Sequence, residues 1–357
     1  MTQRERQILQ WIEADPMISQ KELADRLGIA RSSVAVHISN LMAKGSIVGR
    51  GYVLKSGTYA VVVGSSHVRI GARAPRLPEA GESAAGQISI TLDGAGRNIA
   101  HDLSLLGVDT RLITACGDDL FGQKLTSSCS ELGIDLSHAL RLPGCATASC
   151  VELSGGDGLP MAVADDSVVS RITPEFLASK IAMLQNAQAV VVDANLSAEA
   201  LVFLAENCVA PIFCDPVSPE QARKILPILP KIHTLKPSRA ELEALTGLPV
   251  TNKQELYKAA EQLLKLGVRR VFVSLGCNGV LAAMGRERLL LPPLPGHEIC
   301  HRGCGDAFMA ALVWAYLECS SLKPTALAGL AAAAITMESR QTVNPALSAT
   351  LLRSRMG

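Results

Sequence analysis

Two different rhythms in the sequence predict a parallel α/β sheet covered by helices on both faces, preceded by a small helical module. From Thr58 onward, short β-branched runs alternate with longer helical patterns, as buried parallel strands and their crossovers require. The first 55 residues lack such runs and carry three short amphipathic segments instead. At 357 residues the chain has room for one domain of roughly 300 residues and a small one beside it.

In the leading module, Ile8, Leu9 and Ile12 form one helical face, and Asp15-Pro16 breaks that helix. Ser19-Gln20-Lys21-Glu22 has the spacing of a capping box and opens a second helix through Leu23, Ala24 and Leu27, which stops at Gly28. A third helix turns Val34, Ile38 and Leu41 inward and leaves Arg31, Ser32, Ser33, Val36 and His37 largely outward. Residues 45–54 then read as a short hairpin. Three helices with a tight turn between the last two, followed by a hairpin, describe a winged helix-turn-helix. Over residues 1–55 the pattern resembles bacterial winged-helix regulators, so Arg31, Ser32, Ser33 and His37 are the candidate contacts to double-stranded DNA. Eight Lys/Arg against five Asp/Glu make this stretch basic, while the whole chain carries a formal net charge of only +1. A small helical bundle used for dimerisation would show the same three helices.

In the larger region, residues 60–64, 111–114, 189–193, 211–215, 232–235 and 271–275 read as buried strands. Two interrupted, partly polar stretches, near 75–93 and 145–165, suit a small β lid. The near-neutral charge excludes a globally basic nucleic-acid coat and an acidic disordered chain. Ten scattered cysteines without metal-ligand spacing read as reduced, mostly buried thiols. The charged start lacks a signal-peptide apolar stretch, and the longest apolar run, near Ala307 to Leu317, is too short to span a bilayer. These features predict a soluble, cytoplasmic protein with no membrane partner. Aromatic residues at 3% argue against base-stacking platforms for single strands.

Chemistry concentrates at glycine-rich steps next to strands and helix starts. Gly303-Cys304-Gly305-Asp306 runs into an apolar helix, where unpaired N–H groups and the helix dipole attract an anion beside the Asp306 carboxylate. An anion cradle with a base next to it suits phosphoryl transfer to an alcohol, although a plain N-cap shows the same residues. Asp93-Gly94-Ala95-Gly96-Arg97-Asn98 permits close approach of a polyhydroxylated ligand, yet differs from the dinucleotide fingerprint. Gly117-Asp118-Asp119 reads as a loop after a strand. Asp215-Pro216 ends a strand where open α/β sheets place ligands. Lys236-Pro237-Ser238-Arg239-Ala240-Glu241 supplies a cation and a carboxylate that could hold hydrated magnesium. Ser274-Leu275-Gly276-Cys277-Asn278-Gly279 puts a hydroxyl and glycines at another strand end, as a nucleotide phosphate site would.

In this order the motifs resemble the PfkB (ribokinase-like) family of carbohydrate and nucleoside kinases over roughly residues 58–350. Ser238-x-x-Glu241 stands for the family's Asn-x-x-Glu, and Asn344-Pro345 sits where the family closes its nucleotide pocket. The helix-turn-helix fusion narrows the likeness to bacterial sugar or pseudouridine kinase-like proteins. The resemblance implies a ribokinase-like fold, with Asp306 as the base and the N–H groups of Gly303, Cys304 and Gly305 as the anion hole. It further implies ATP near Lys236, Glu241, Ser274, Gly276, Gly279 and Asn344. Magnesium would be held by Glu241 through water, and the acceptor would lie at Arg69, Asp93, Gly94, Gly96, Asn98 and Asp306.

Three departures stand out. Arg69 occupies the position of a sugar-gripping Asp, and Asp93 replaces the first of a Gly-Gly pair. The two are therefore expected to form an exchanged ion pair on the floor of the acceptor pocket. Cys300-His301-Arg302 replaces Asp-Thr-x, and the missing Asp speaks against a monovalent-cation site. The sequence thus reads as an ATP- and magnesium-dependent sugar or nucleoside kinase, pseudouridine or a related ribonucleoside favoured, fused to a DNA-binding module and acting as a homodimer. The alternative is a ligand-sensing transcription regulator whose kinase-like domain turns over slowly or not at all.

Overall fold

Local signals shape the leading module as its sequence suggests. A computed structural model describes residues 2–15, 18–47, 58–79, 81–156 and 161–357, which belong to two units, residues 1–57 and 58–357. In the first, helix α1 (Gln3–Ala14) opens with a capping box between Thr2 and Glu5, α2 (Gln20–Leu27) is capped by Ser19, and α3 (Arg31–Ala43) follows the left-handed Gly28. Ile8, Ile12, Leu23, Val34, Ile38 and Leu41 close a core of their own. The buried Glu5 carboxylate also accepts from Lys44 Nζ at 2.8 Å, which pairs the charge as burial demands. Arg31, Ser32 and Ser33 are exposed. His37 departs from the outward face expected of it: it is half-buried, and its Nδ1 is buried with no partner among the described residues. The expected hairpin falls largely on residues 48–54, and the helix break partly on Pro16; both lie outside the described residues.

In the second unit the strands, in chain order, are β1 (Tyr59–Val63), β2 (His67–Ala74), β3 (Gln87–Asp93), β4 (Asp109–Ile113), β5 (Ala115–Gly117), β6 (Leu140–Leu142) and β7 (Ser149–Gly155). After them come β8 (Met161–Asp165), β9 (Ala189–Asp193), β10 (Ile212–Asp215), β11 (Ile232–Leu235), β12 (Arg270–Ser274), β13 (Val280–Met284) and β14 (Glu287–Leu291). Eight of those described strands form the main sheet in the order β14-β13-β12-β11-β10-β9-β1-β4. Strands β4 to β12 run parallel, whereas β13 and β14 are antiparallel. The expectation of a parallel sheet fails at this edge for a simple reason. The links at 275–279 and 285–286 are too short for a crossover and allow only hairpins.

Both faces of the sheet are covered. Tyr59, Val61 and Val63 of β1 enter one core, while Ala60 and Val62 enter the other, as period-two alternation dictates. The second core is built on helix α4 (Ala95–Leu105) and the helices Cys304–Leu317 and Leu322–Met337. Those last two pack through small residues. A Cβ at Gly329 would lie 2.5 Å from the Phe308 ring. Gly329→Ala should therefore destabilise the fold by about 1–3 kcal/mol despite its better helix propensity. A urea melt showing equal or higher stability would contradict this packing.

A separate four-stranded sheet has the order β3-β2-β7-β8. Its strand β2 lies ahead of the expected lid stretch at 75–93. The run His67-Val68-Arg69-Ile70-Gly71 has no clear alternation of buried apolar positions, so its period is weak. Helix α5 (Leu120–Glu131) lines a cleft together with residues of β2 and β3. Among the described residues no helix is long and apolar enough to cross a membrane.

Candidate active site

The carboxyl ends of β1, β9, β10 and β11 deliver Gly64-Ser65, Asp193, Asp215 and Lys236 to one edge of the sheet. Asp193 holds the centre. Its fully buried carboxylate accepts from Ser65 N at 2.7 Å, Ser65 Oγ at 2.9 Å, Gly96 N at 2.9 Å and Asn195 N at 3.0 Å. Burial pushes its pKa up, and those donors work against the shift. A side chain at Gly64 would meet Asp193 Oδ2 at 2.4 Å, so the two positions fit only as they stand. Sequence reading missed Asp193, although an Asp closing an apolar strand was the signal that singled out Asp215.

Gly94 has φ +111° and a Cβ there would reach Ser65 O at 2.7 Å, while one at Gly96 would reach the Gly64 backbone at 2.8 Å. Both glycines thus let the start of α4 press against the end of β1. That pressure aims Asn98 at the site. Its Nδ2 donates to Asp93 Oδ1 at 2.7 Å and to Asp306 Oδ2 at 2.9 Å. The Arg69–Asp93 ion pair expected from the two departures is present, with Nε to Oδ2 at 2.7 Å. Arg69 also reaches Glu152 of β7 at 2.6 Å, and Glu152 accepts from Arg302 at 3.2 Å. Burial raises the Asp93 pKa, but Asn98, Arg69 and the Gly94 amide together hold it below the ordinary range. In a double-mutant cycle, Arg69→Ala and Asp93→Ala should couple by about 1–3 kcal/mol in stability, and purely additive effects would deny the pair any energetic meaning.

Asp306 lies in the first turn of the Cys304–Leu317 helix. Gly303, at φ +81°, starts that helix, and a Cβ there would strike Thr342 O at 1.8 Å. The first N–H groups of a helix have no intrahelical partner. Here the Cys304 N–H bends back to His301 O at a long 3.4 Å, which leaves Gly305 and its neighbours the better donors. Burial drives the Cys304 thiol to about 11, so it stays protonated. Burial, then the nearby Asp215 charge, raises Asp306 to about 8. Lys236 Nζ sits 3.1 Å from Asp215 Oδ2 and faces the helix start, where a Cβ at Gly305 would lie 3.4 Å from it. Burial lowers the Lys236 pKa, yet Asp215, Glu241 and Asp306 more than offset this and keep the ammonium charged.

Other expected residues take structural duties. Glu241 Oε2 accepts from Ser238 N at 2.7 Å in a capping box, and burial raises its pKa. Ser274 N donates to Pro237 O at 2.9 Å, tying β12 to the Lys236 loop. Gly276, at φ +59°, has open space beside it. Gly279 is needed for the turn itself, since a Cβ would lie 2.0 Å from Leu291 O. Asn344 spends its amide on Ile335 O at 2.6 Å and the Ala346 N–H at 3.0 Å, so it fixes the loop rather than offering a free side chain. Asp119 caps α5 through Gly122 N at 2.8 Å and accepts from Thr147, which explains that motif without a ligand.

A buried carboxylate in the first turn of a glycine-started helix, with a buried lysine nearby at the strand ends of a doubly covered α/β sheet, is an arrangement suited to phosphoryl transfer. Comparison with known proteins agrees with this class. The chain belongs to the pfkB family of carbohydrate kinases, whose sequence pattern matches residues 58–349, and its acceptor is an alcohol. Residues 1–48 match the winged helix-turn-helix DNA-binding pattern. The "Uncharacterized sugar kinase YeiI" of Escherichia coli (strain K12) is 38% identical over 98% of this chain and 97% of its own length. The pseudouridine kinase of the same strain is 31% identical over 81% and 94%. Among solved structures, a carbohydrate kinase from Agrobacterium tumefaciens matches with TM-score 0.73 and 26% identity, covering 84% of this chain and 97% of its own. Arabidopsis thaliana ribokinase complexed with ribose and ATP matches with TM-score 0.76, 22% identity and coverage of 84% and 98%, which bears on the ribokinase-like fold.

Proposed function

We propose that the protein transfers the γ-phosphoryl group of ATP to a hydroxymethyl group of a sugar or nucleoside, with pseudouridine or a related ribonucleoside the favoured acceptor. The observation that carries this reading is the Asp306 carboxylate, held by Asn98 at 2.9 Å beside the anion-binding helix start. Asp306 takes the proton of the acceptor hydroxyl while the oxygen attacks the γ-phosphorus and ADP leaves. The N–H groups at Gly303, Cys304 and Gly305 meet the charge on the moving phosphoryl oxygens, and Lys236 adds a fixed cation. Arg69, Asp93, Gly94, Gly96 and Asn98 shape the acceptor side, while Ser274 and Gly276 border the nucleotide side.

Among the described residues no three metal-binding side chains cluster. Glu241, a single buried carboxylate near the Lys236 loop, would hold a hydrated magnesium ion through water. Bound there, magnesium would neutralise phosphate charge. The leading module would bind double-stranded DNA through the exposed start of α3, as a homodimer in the cytoplasm, because such modules read paired half-sites. Similarity to a pseudouridine kinase supports the acceptor class.

One observation supports a second reading. Arg69, bonded to both Asp93 and Glu152, fills part of the acceptor side, as a ligand sensor with little turnover would tolerate. ATP consumption with magnesium across nucleosides and sugars, pseudouridine included, separates the two. Turnover with one acceptor class is expected. Its absence across the whole panel would favour the sensor.

A further inference from the structure

The hydrogen bonds that begin at Asp306 close on themselves. Asp306 Oδ2 accepts from Asn98 Nδ2 at 2.9 Å, and the same amide donates to Asp93 Oδ1 at 2.7 Å. Asp93 Oδ2 accepts from Arg69 Nε at 2.7 Å, and Arg69 Nη1 donates to Glu152 Oε2 at 2.6 Å. Glu152 also accepts from Arg302 Nη2, which lies 3.2 Å from each of its oxygens. Arg302 directly precedes Gly303, so the run Arg302-Gly303-Cys304-Gly305-Asp306 returns the path to its origin.

Period-two alternation builds the far side of this ring. Strand β2 pairs His67 with Asp93 and Arg69 with Thr91, which puts Arg69 and Asp93 on one side of the sheet. Against β7, Arg69 stands beside Cys150 and Gly71 beside Glu152, so Glu152 shares that side. The three charges lie on a diagonal across β3, β2 and β7, where long side chains can meet.

The sheet therefore holds the same short segment of chain twice. Through Asn98 it holds Asp306, and through Arg302 it holds the loop that enters the helix Cys304–Leu317. The outer bond is a poor source of stability. Both of its distances are long, and the Arg302 side chain is 44% exposed to screening water. Arg69, with contacts of 2.7 and 2.6 Å and 19% exposure, is held far more firmly. What the outer bond supplies is a fixed position for the residue next to Gly303.

We infer that Glu152 and Arg302 are positioning residues for phosphoryl transfer, which close the ring and keep the Gly303–Gly305 amides in register with Asp306. This inference rests on the kinase reading and adds to it the means by which base and anion hole are aligned. A misplacement of about 1 Å can cost on the order of a hundredfold in rate, so a bond too weak to matter for folding matters for turnover.

Steady-state rates of the full chain with ATP, magnesium and a panel of nucleosides and sugars, pseudouridine included, test it. Arg302→Gln and Glu152→Gln should each lower kcat by about tenfold, while KM for ATP moves by less than about twofold. The double variant should be no slower than the slower single one, because a ring opened once is already open. Arg302→Lys, which still offers the carboxylate a cation, should recover most of the loss. Arg353→Gln removes a similarly exposed ion pair with Glu318, at the opposite end of the same helix, and should leave kcat unchanged. If Glu152→Gln does not fold, the Arg302 variants decide the matter through kcat and the lysine rescue. Single variants that keep the parent's kcat, effects that multiply in the double variant, or a lysine no better than glutamine overturn the inference and leave the kinase reading intact. A parent protein without turnover on any member of the panel removes both.

Discussion

Asp306→Asn should lower kcat by about 10²–10⁴-fold while the protein remains folded, because an amide of the same shape cannot take the hydroxyl proton. The pH profile adds a signature that a merely structural residue would not give. A base works only when deprotonated, and Asp306 is raised to about 8, chiefly by burial and then by the Asp215 charge. In the free enzyme kcat/KM should therefore rise with pH and level off above about 8. The acid limb should disappear from whatever activity the variant retains. Steady-state rates across that range decide the matter. A flat profile in the parent protein, or a variant within a few-fold of it, would remove Asp306 from its role.

Gly303→Ala should be nearly as damaging, for a different reason. The residue sits at φ +81°, where a Cβ is strained, and that Cβ would lie 1.8 Å from the Thr342 carbonyl oxygen. Something must shift, and what shifts is the start of the helix that presents the amides. A loss of about 10²–10³-fold in kcat is expected from a displaced anion hole. Backbone strain should cost a further ~1–3 kcal/mol of stability. Gly305→Ala is the natural comparison, since a Cβ there meets only the end of the Lys236 side chain at 3.4 Å. Thermal melts and kcat measured side by side separate strain from catalysis. Equal effects at both positions would refute the geometric argument.

The strands of the main sheet were legible because each is a short apolar run between polar turns, buried on both faces. The antiparallel edge was not, since Val280–Met284 and Glu287–Leu291 lie close together and announce their direction only through the length of their turns. Strand β2 escaped because Arg69 and Gly71 interrupt its pattern. At the site, the glycine steps and Asp306 were readable from local composition. So was the Arg69–Asp93 pair, because two departures from a resembling pattern called for one joint explanation. Asp193 and Glu152 were not, since their importance arises mainly from partners more than 80 residues away in the chain, Ser65 and Gly96 for one and Arg69 and Arg302 for the other. His37 was misjudged because helical periodicity assigns a face, whereas the burial of one ring nitrogen depends on neighbouring turns.

The fit between Gly64 and Asp193 bears on how this protein can change over evolutionary time. Any side chain at position 64 invades the space of the carboxylate, and any shorter or apolar residue at 193 strands the Ser65, Gly96 and Asn195 donors. Neither position has a neutral single-step neighbour, so the two are epistatic. A descendant that changes one must change the other with it.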